Sequence, residues 1–114
     1  LLEVLDMSVS ASDDAVTVEV ITDRPAAFST SSATDPPRLL VRLPDARLDP
    51  GASIDNSVTL NVPPVERVNL IEGSSDNKVV ILVIYLGEES RHSVTADARA
   101  VRVSIWRTPE TDAG

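Results

Sequence analysis

The sequence predicts an all-β fold, a small β-sandwich of two short sheets with no long helix. Residues 79–86 form an unbroken apolar run rich in Val and Ile, which favours a strand over a helix. Short stretches of alternating apolar and polar residues recur along the chain between Pro, Gly, Asp and Ser. No stretch has the i, i+3, i+4 apolar spacing of a long helix. Many short strands separated by turn signals are typical of a sandwich.

The apolar run at residues 79–86 is expected to be the central strand. Successive side chains of a strand point to opposite faces. Here both faces are apolar, formed by Val79, Ile81, Val83 and Tyr85 and by Val80, Leu82, Ile84 and Leu86. We therefore expect this strand to be covered on both sides. The run is too short to cross a bilayer as a helix.

Shorter alternating stretches predict the other strands. We expect a hairpin from residues 2–10 and 15–22, with Leu5, Met7 and Val9 on the inner side of its first strand. Residues 45–56 are expected to form a loop, because Pro-Gly at residues 50–51 is a turn signal. The remaining strands are predicted at residues 28–31, 38–43, 57–62, 65–72, 92–96 and 100–106.

Length and charge restrict the classes of function. The 114 residues correspond to about one domain, and 42% are hydrophobic, which is enough for a core. The formal net charge of −8 repels the phosphates of nucleic acids and anionic membrane surfaces. We therefore expect no nucleic-acid partner and no direct membrane insertion. The lack of cysteine excludes disulfides, Cys-based zinc sites and thiol nucleophiles.

The sequence predicts no catalytic centre, metal site or cofactor. His92 is the only histidine, so a transition-metal site would need carboxylates, and a solvated histidine at a strand end is expected instead. The pairs Asp13-Asp14 and Glu88-Glu89 fall in predicted turns, where solvated charge is the usual role. A glycosidase would need two carboxyl groups fixed across a cleft. We therefore do not expect an enzyme.

Three features follow one another along the chain. They are the hairpin of residues 2–22, the proline-bounded basic and aliphatic strand at residues 36–44, and the block of residues 65–106. In this order and spacing they resemble the AMIN domain, and the resemblance covers residues 2–106. It implies a β-sandwich domain, which we place at residues 1–107. Residues 108–114 are expected to form a flexible tail or linker, because chain ends are often poorly ordered.

The resemblance also implies a function in the cell envelope. AMIN domains occur in periplasmic N-acetylmuramoyl-alanine amidases and in type IV pilus secretins, where they localise the parent protein by binding peptidoglycan. We therefore expect a non-catalytic periplasmic targeting module, most similar to the AMIN domain of a type IV pilus secretin, that binds peptidoglycan and anchors an outer-membrane or cell-envelope protein. Its expected partners are peptidoglycan and neighbouring domains or subunits of an envelope complex.

Polar side chains on the predicted strands are the candidates for binding peptidoglycan. Rigidly held donors and acceptors suit the hydroxyls, amides and carboxylates of a muropeptide, and an Arg fork can hold a carboxylate with two bonds. The candidates are Arg42, Glu66, Arg67, Asn69, Glu72 and Trp106. Each has an ordinary solvent-facing role as its alternative, and the Trp106 indole either stacks on a sugar ring or covers the end of the sheet.

The alternative function is a protein-interaction or spacer domain of a secretin or amidase that binds no glycan. Departures from the family pattern at Arg42, Glu66, Asn69 and Ile71 favour this alternative. Docking would then use a strand edge or the apolar face of residues 80, 82, 84 and 86. The negative net charge also opposes binding to anionic peptidoglycan, so any affinity would depend on short-range contacts.

Overall fold

The computed structural model describes residues 2–12, 15–34, 37–49, 51, 56–62, 64–73, 78–88 and 90–107. Within these residues there are ten strands and no helix, which confirms the all-β prediction. The strands are β1 (Leu2–Ala11), β2 (Ala15–Thr22), β3 (Ser29–Thr34), β4 (Pro37–Pro44), β5 (Ala46–Leu48), β6 (Ser57–Val62), β7 (Val65–Glu72), β8 (Val79–Leu86), β9 (Ser90–Ala96) and β10 (Ala100–Arg107).

The strands form two five-stranded sheets that pack against each other. Sheet A has the order β5-β1-β2-β10-β9, and sheet B has the order β3-β4-β8-β7-β6. The pairings are antiparallel except for the parallel pair of β1 and β5. The sandwich with two sheets is the architecture that the alternating stretches predict.

One aliphatic core lies between the two sheets. Its fully buried side chains come from the centre of sheet A and the centre of sheet B: Val4, Val16, Val18, Val20, Val101, Val103 and Ile105, and Leu39, Val41, Leu43, Val65, Val68, Val80, Leu82 and Ile84. Full burial of one such side chain contributes about 1.5–3 kcal/mol to folding. Aromatic residues are only 3% of the chain, so branched aliphatic residues fill the core.

The apolar run is the central strand of sheet B, as predicted. β8 lies between β4 and β7, and its residues at positions 80, 82 and 84 belong to the core. On its outer face Val79 and Val83 are buried, whereas Ile81 and Tyr85 are only half-buried. Within the described residues, side chains of β4 and β7 flank this outer face and no further layer covers it. The expectation that this strand is covered on both sides was therefore wrong for its outer face.

The prediction for the inner side of β1 was wrong for Leu5. The pairing of β1 with β2 shifts register between Val4 and Asp6. A shift of one residue exchanges the two faces of a strand. Leu2 and Val4 therefore lie in the core and Leu5 is half-buried, while Met7 is buried as predicted.

The predicted loop at residues 45–56 contains a strand. Asp45 adopts the left-handed conformation (φ 50°), which Asp tolerates better than most residues. Its carbonyl accepts a 2.7 Å hydrogen bond from the Leu2 N–H, and β5 then pairs with β1. Three residues are too few for an alternating pattern, so β5 could not be predicted from the sequence.

Two other boundaries differ from the prediction by two residues or more. β3 extends to Thr34 rather than ending at residue 31, and β9 begins at Ser90 rather than at residue 92. The expected tail at residues 108–114, the turn residues Asp13, Asp14 and Glu89, and residues 74–77 lie outside the described residues.

Candidate binding face

The outer face of sheet B combines arginine side chains with an apolar centre. Alternation along β4, β7 and β8 directs one set of residues away from the core. We call this set the arginine face: Arg38, Leu40, Arg42, Arg67, Asn69, Ile71, Ile81, Val83 and Tyr85. The strand register arranges it in three rows, so that arginines occupy the first and third rows and the middle row is Leu40, Val83 and Asn69.

The first row is held by a ring contact. Arg67 lies opposite Tyr85 in the β7–β8 pairing, and its Cζ atom is 4.5 Å from the centroid of the Tyr85 ring. A guanidinium over an aromatic face is a cation–π interaction. This contact orients Arg67 and leaves it exposed to solvent.

Asn69 in the middle row is held by the neighbouring edge strand. The Ser57 hydroxyl donates a 2.9 Å hydrogen bond to the Asn69 side-chain oxygen. The amide nitrogen of Asn69 remains a donor on the surface of a rigid strand. Arg42 in the third row is exposed and lies opposite Ile81. The exposed Ile71 lies on the other side of Ile81.

The arginine face carries no acidic side chain among the described residues. The ion pairs of the described residues involve neither Arg42 nor Arg67. Arg38 has an interaction of its own, so only Arg42 and Arg67 are considered as charges available to a ligand. These two positive charges therefore face solvent although the whole chain carries a net charge of −8.

Two of the predicted site residues lie at the margins of sheet B. Glu66 lies where the β7–β8 register shifts, and its Cγ atom is within 3.0 Å of the position that a Cβ at Gly87 would take. Glu72 ends β7, and its carboxylate accepts a 2.7 Å hydrogen bond from the Leu48 N–H of β5. Glu72 thus links the two sheets, which the sequence did not indicate.

Trp106 lies on the other side of the molecule. In sheet A it is opposite Ala15 of β2 and Arg91 of β9, and its indole is half-buried on the outer face. The structure therefore brings together Arg42, Arg67 and Asn69, places Glu66 and Glu72 at the margins, and separates Trp106 from them by the thickness of the sandwich.

Two arginines on the outer face of sheet A have carboxylate partners. Arg47 pairs with Glu3, and Arg102 donates a 2.6 Å hydrogen bond to Glu19 and lies 3.7 Å from Asp97. The hydrogen bond that Arg47 donates to Glu3 raises the pKa of Arg47, and the hydrogen bond that Arg102 donates to Glu19 raises the pKa of Arg102. The charges of Arg47 and Arg102 are therefore compensated by neighbouring carboxylates.

A metal site and a membrane-spanning helix were also sought in the part of the chain that the structure describes. No group of three His, Asp or Glu side chains there could hold a metal ion, and His92 is exposed as expected. Among the same residues no helix is long and apolar enough to span a membrane.

Comparison with protein families gives one match. The model of the AMIN domain matches residues 6–107, which is nearly the whole chain. The chain belongs to the AMIN domain family. This confirms the resemblance seen in the order of the hairpin, the proline-bounded strand and the last block of strands.

Membership of the AMIN family sets the general function. AMIN domains are non-catalytic targeting domains, typically periplasmic, and they associate with peptidoglycan as modules of amidases and secretins. No curated protein matches the chain. The role of the arginine face in this AMIN domain is therefore inferred from its own geometry.

Sequence reasoning missed several residues of this face. The spacing of Arg38 and Arg42 places them on one side of β4, and that signal was available in the sequence. The roles of Tyr85, Ile71 and Leu40 depend on which strands neighbour β8, and no pattern in the sequence specifies those neighbours.

Proposed function

We propose that this AMIN domain is a non-catalytic module that binds peptidoglycan through the arginine face and anchors a type IV pilus secretin in the cell envelope. The observation that carries the proposal is the pair of exposed arginines on an outer face of sheet B that has no acidic side chain among the described residues. Arg42 on β4 and Arg67 on β7 flank the central strand β8 and have no carboxylate partner among the described residues. Peptidoglycan offers carboxylates, which guanidinium groups bind with paired hydrogen bonds.

The spacing of the two arginines suits an extended ligand. Arg42 and Arg67 are separated by two strand spacings across the sheet and by four residues along β8. Strand geometry puts their Cα atoms roughly 16 Å apart. Ile81 and Val83 lie between them, so the carbon skeleton of the ligand can cross the apolar centre while its carboxylates reach the arginines. Asn69 supplies an amide donor along the way.

A pull-down with purified sacculi tests this proposal on the 114-residue chain. We expect retention of the wild type and at least about tenfold weaker retention of the double variant Arg42→Gln/Arg67→Gln, because a hydrogen bond to a charged group contributes about 1.5–3 kcal/mol. The matched control is Arg47→Gln/Arg102→Gln, which removes two exposed arginines from sheet A and should be retained like the wild type.

Trp106→Ala provides a third arm of the same pull-down. We expect no change in retention, because Trp106 lies on the outer face of sheet A. Loss of retention in Trp106→Ala or in the sheet A control, with the sheet B variant unaffected, would assign peptidoglycan binding to sheet A and contradict the proposal. Equal retention of all four proteins would also contradict it.

A second candidate function is a protein-interaction or spacer domain of a secretin or amidase. The exposure of Ile71, 47% of its surface, favours this candidate because large apolar side chains at a surface often belong to interfaces. The sequence-based version of this hypothesis, docking through residues 80, 82, 84 and 86, was wrong for positions 80, 82 and 84, which lie in the core, and Leu86 packs against it. Absence of wild-type retention on sacculi would favour this second function.

A further inference from the structure

Sheet B ends in a strand whose free edge is unprotected. Among the described strands, β3 pairs with β4 alone. Its six residues are Ser, Thr and Ala, and all are exposed except the half-buried Ala33. Proteins usually block open edges with charges, prolines, bulges or very short strands. The β3 strand has none of these devices, and its pairing with β4 is regular from Ser29 to Thr34.

Each of the other edge strands has such a device. β5 has only three residues, and the Glu72 carboxylate bonds to its Leu48 N–H. β6 has an irregular register between Thr59 and Val62. β9 carries the exposed residues Arg91 and His92. The contrast marks β3 as the edge of this sandwich that is open to another strand.

The charge behind β3 indicates what kind of strand fits. Arg42 on β4 lies opposite Ser29, and it has no ion pair within the described residues. A strand added beside β3 would lie about 9–10 Å from β4, which is two strand spacings. The small Ser29 side chain leaves the path between Arg42 and that added strand open, so a carboxylate in the same row can meet the guanidinium.

We infer that β3 is a docking edge that takes an extended, carboxylate-bearing segment of a partner protein as a sixth strand of sheet B. Main-chain hydrogen bonds to β3 supply affinity, and a carboxylate in the Arg42 row supplies selectivity. A second copy of this chain fits less well, because symmetric β3 pairing would place two Arg42 side chains on the same face. Edge pairing is independent of peptidoglycan binding, and either can fail without the other.

NMR titration of the 15N-labelled 114-residue chain tests this inference. The probe is the peptide acetyl-Thr-Glu-Thr-Val-Thr-Glu-Thr-amide, which places a Glu in the Arg42 row whether it binds parallel or antiparallel. Two control peptides carry Gln or Lys in place of both Glu residues. We expect amide shifts and slowed amide exchange concentrated in β3, strongest with the Glu peptide, weaker with the Gln peptide and weakest with the Lys peptide.

Two arginine variants test the charge selectivity. Arg42→Gln should weaken binding of the Glu peptide about two- to fivefold, as expected for an exposed ion pair of up to about 1 kcal/mol, and leave the Gln peptide unchanged. The matched control is Arg91→Gln, which removes an exposed arginine from the edge strand of the other sheet and should leave the binding of both peptides unchanged.

Two proline variants test the edge itself. Neighbouring residues of a strand direct their N–H groups to opposite edges, so one of Ser31→Pro and Ser32→Pro removes a donor from the free edge only. We expect that variant to remain folded, to retain binding to sacculi and to lose the peptide. The other variant loses a bond to β4, and its folding is checked from the dispersion of its NMR spectrum.

Several outcomes would overturn the inference. They are an absence of shifts with all three peptides, equal binding of the Glu and Lys peptides, and shifts centred on another edge strand. A further such outcome is dimerisation that increases with concentration in sedimentation experiments, together with amide shifts in β3. The partner at this edge would then be a second copy of the chain and not an acidic segment of another protein.

Discussion

The outer faces of the two sheets use arginine in different ways. On sheet A, Arg47 and Arg102 are held by Glu3 and Glu19, with carboxylate oxygens within hydrogen-bond distance. On sheet B, Arg42 has no such partner within the described part of the chain, and Arg67 contacts the Tyr85 ring instead. Both faces belong to one acidic domain with similar strand geometry, so the difference arises from which side chains the strand register places opposite one another.

The comparison teaches that net charge describes the partners of this domain poorly. An overall charge of −8 suggests repulsion of any anionic ligand. The acidic residues that are described, however, lie on sheet A, at strand ends and in turns, and the arginine face has none of them. A polar polymer with carboxylates can therefore approach sheet B over a positive surface.

Truncating one residue on each side of sheet B tests which face is the core. Leu82→Ala removes a fully buried side chain and should lower the free energy of unfolding by about 2–5 kcal/mol. Ile71→Ala removes a side chain that is 47% exposed and should cost less than about 1 kcal/mol. Urea unfolding followed by circular dichroism measures both. Similar losses for the two variants would mean that the outer face is covered in solution.

A double-mutant cycle tests the contact that holds Arg67. Tyr85→Leu keeps an apolar residue on β8 but removes the ring face, and Arg67→Gln removes the cation. We expect a coupling energy of about 0.5–1 kcal/mol from urea unfolding, the range of exposed cation–π pairs. A coupling of zero would show that the ring does not position Arg67 in solution.

A second cycle tests the compensation of charge on sheet A. The pair Arg102→Gln and Glu19→Gln should give a coupling of about 0.2–1 kcal/mol that decreases with added salt. Arg42→Gln, the matched change on sheet B, should alter unfolding by no more than about 0.5 kcal/mol. A loss for Arg42→Gln as large as that for Arg102→Gln would reveal a stabilising partner of Arg42.

The smallest effect concerns pH. The Arg24 side chain and the Glu3 N–H donate hydrogen bonds of 3.0 Å to the Asp23 carboxylate and hold its pKa below the ordinary value of 3.8. The unfolded state therefore takes up the proton first as pH falls, so the stability from Asp23 is present above pH 4 and is lost as pH falls through the lowered pKa.

Asp23→Asn removes this contribution, so its urea midpoint should fall less than that of the wild type between about pH 5 and pH 2.5. Arg24→Gln removes the larger of the two causes and should show part of the same change. Parallel midpoints for wild type and Asp23→Asn across this range would contradict the assignment.

Much of the fold was predictable from local patterns. The strands with regular alternation, such as β2, β4 and β10, have the inner residues that period two specifies, and β8 is central because both its faces are apolar. The prediction failed where regularity was broken. Because of the bulge in β1, Val4 and not Leu5 points into the core. The strand β5 is too short to show an alternating pattern.

The candidate site was predictable only in part. The sequence indicates Arg42, Arg67 and Asn69 as binding candidates because they are polar residues on predicted strands. The structure places all three on one face. The same pattern indicates Glu72 as a binding candidate, but its carboxylate accepts a hydrogen bond from the Leu48 N–H of the other sheet. Trp106 is on the opposite face. A residue's own strand indicates that its side chain points outward, but not which sheet the strand joins.

The sequence by itself determined the fold class, the aliphatic core, the central strand and the resemblance to the AMIN domain, because these follow from short-range periodicity and from the order of the strands. Only the tertiary structure decided which outward-facing residues share a surface. Strand pairing joins segments far apart in the chain, and it places Arg42 and Arg67 on the same face of the sheet, on either side of β8. That pairing depends on the packing of the whole core, and no local pattern contains it.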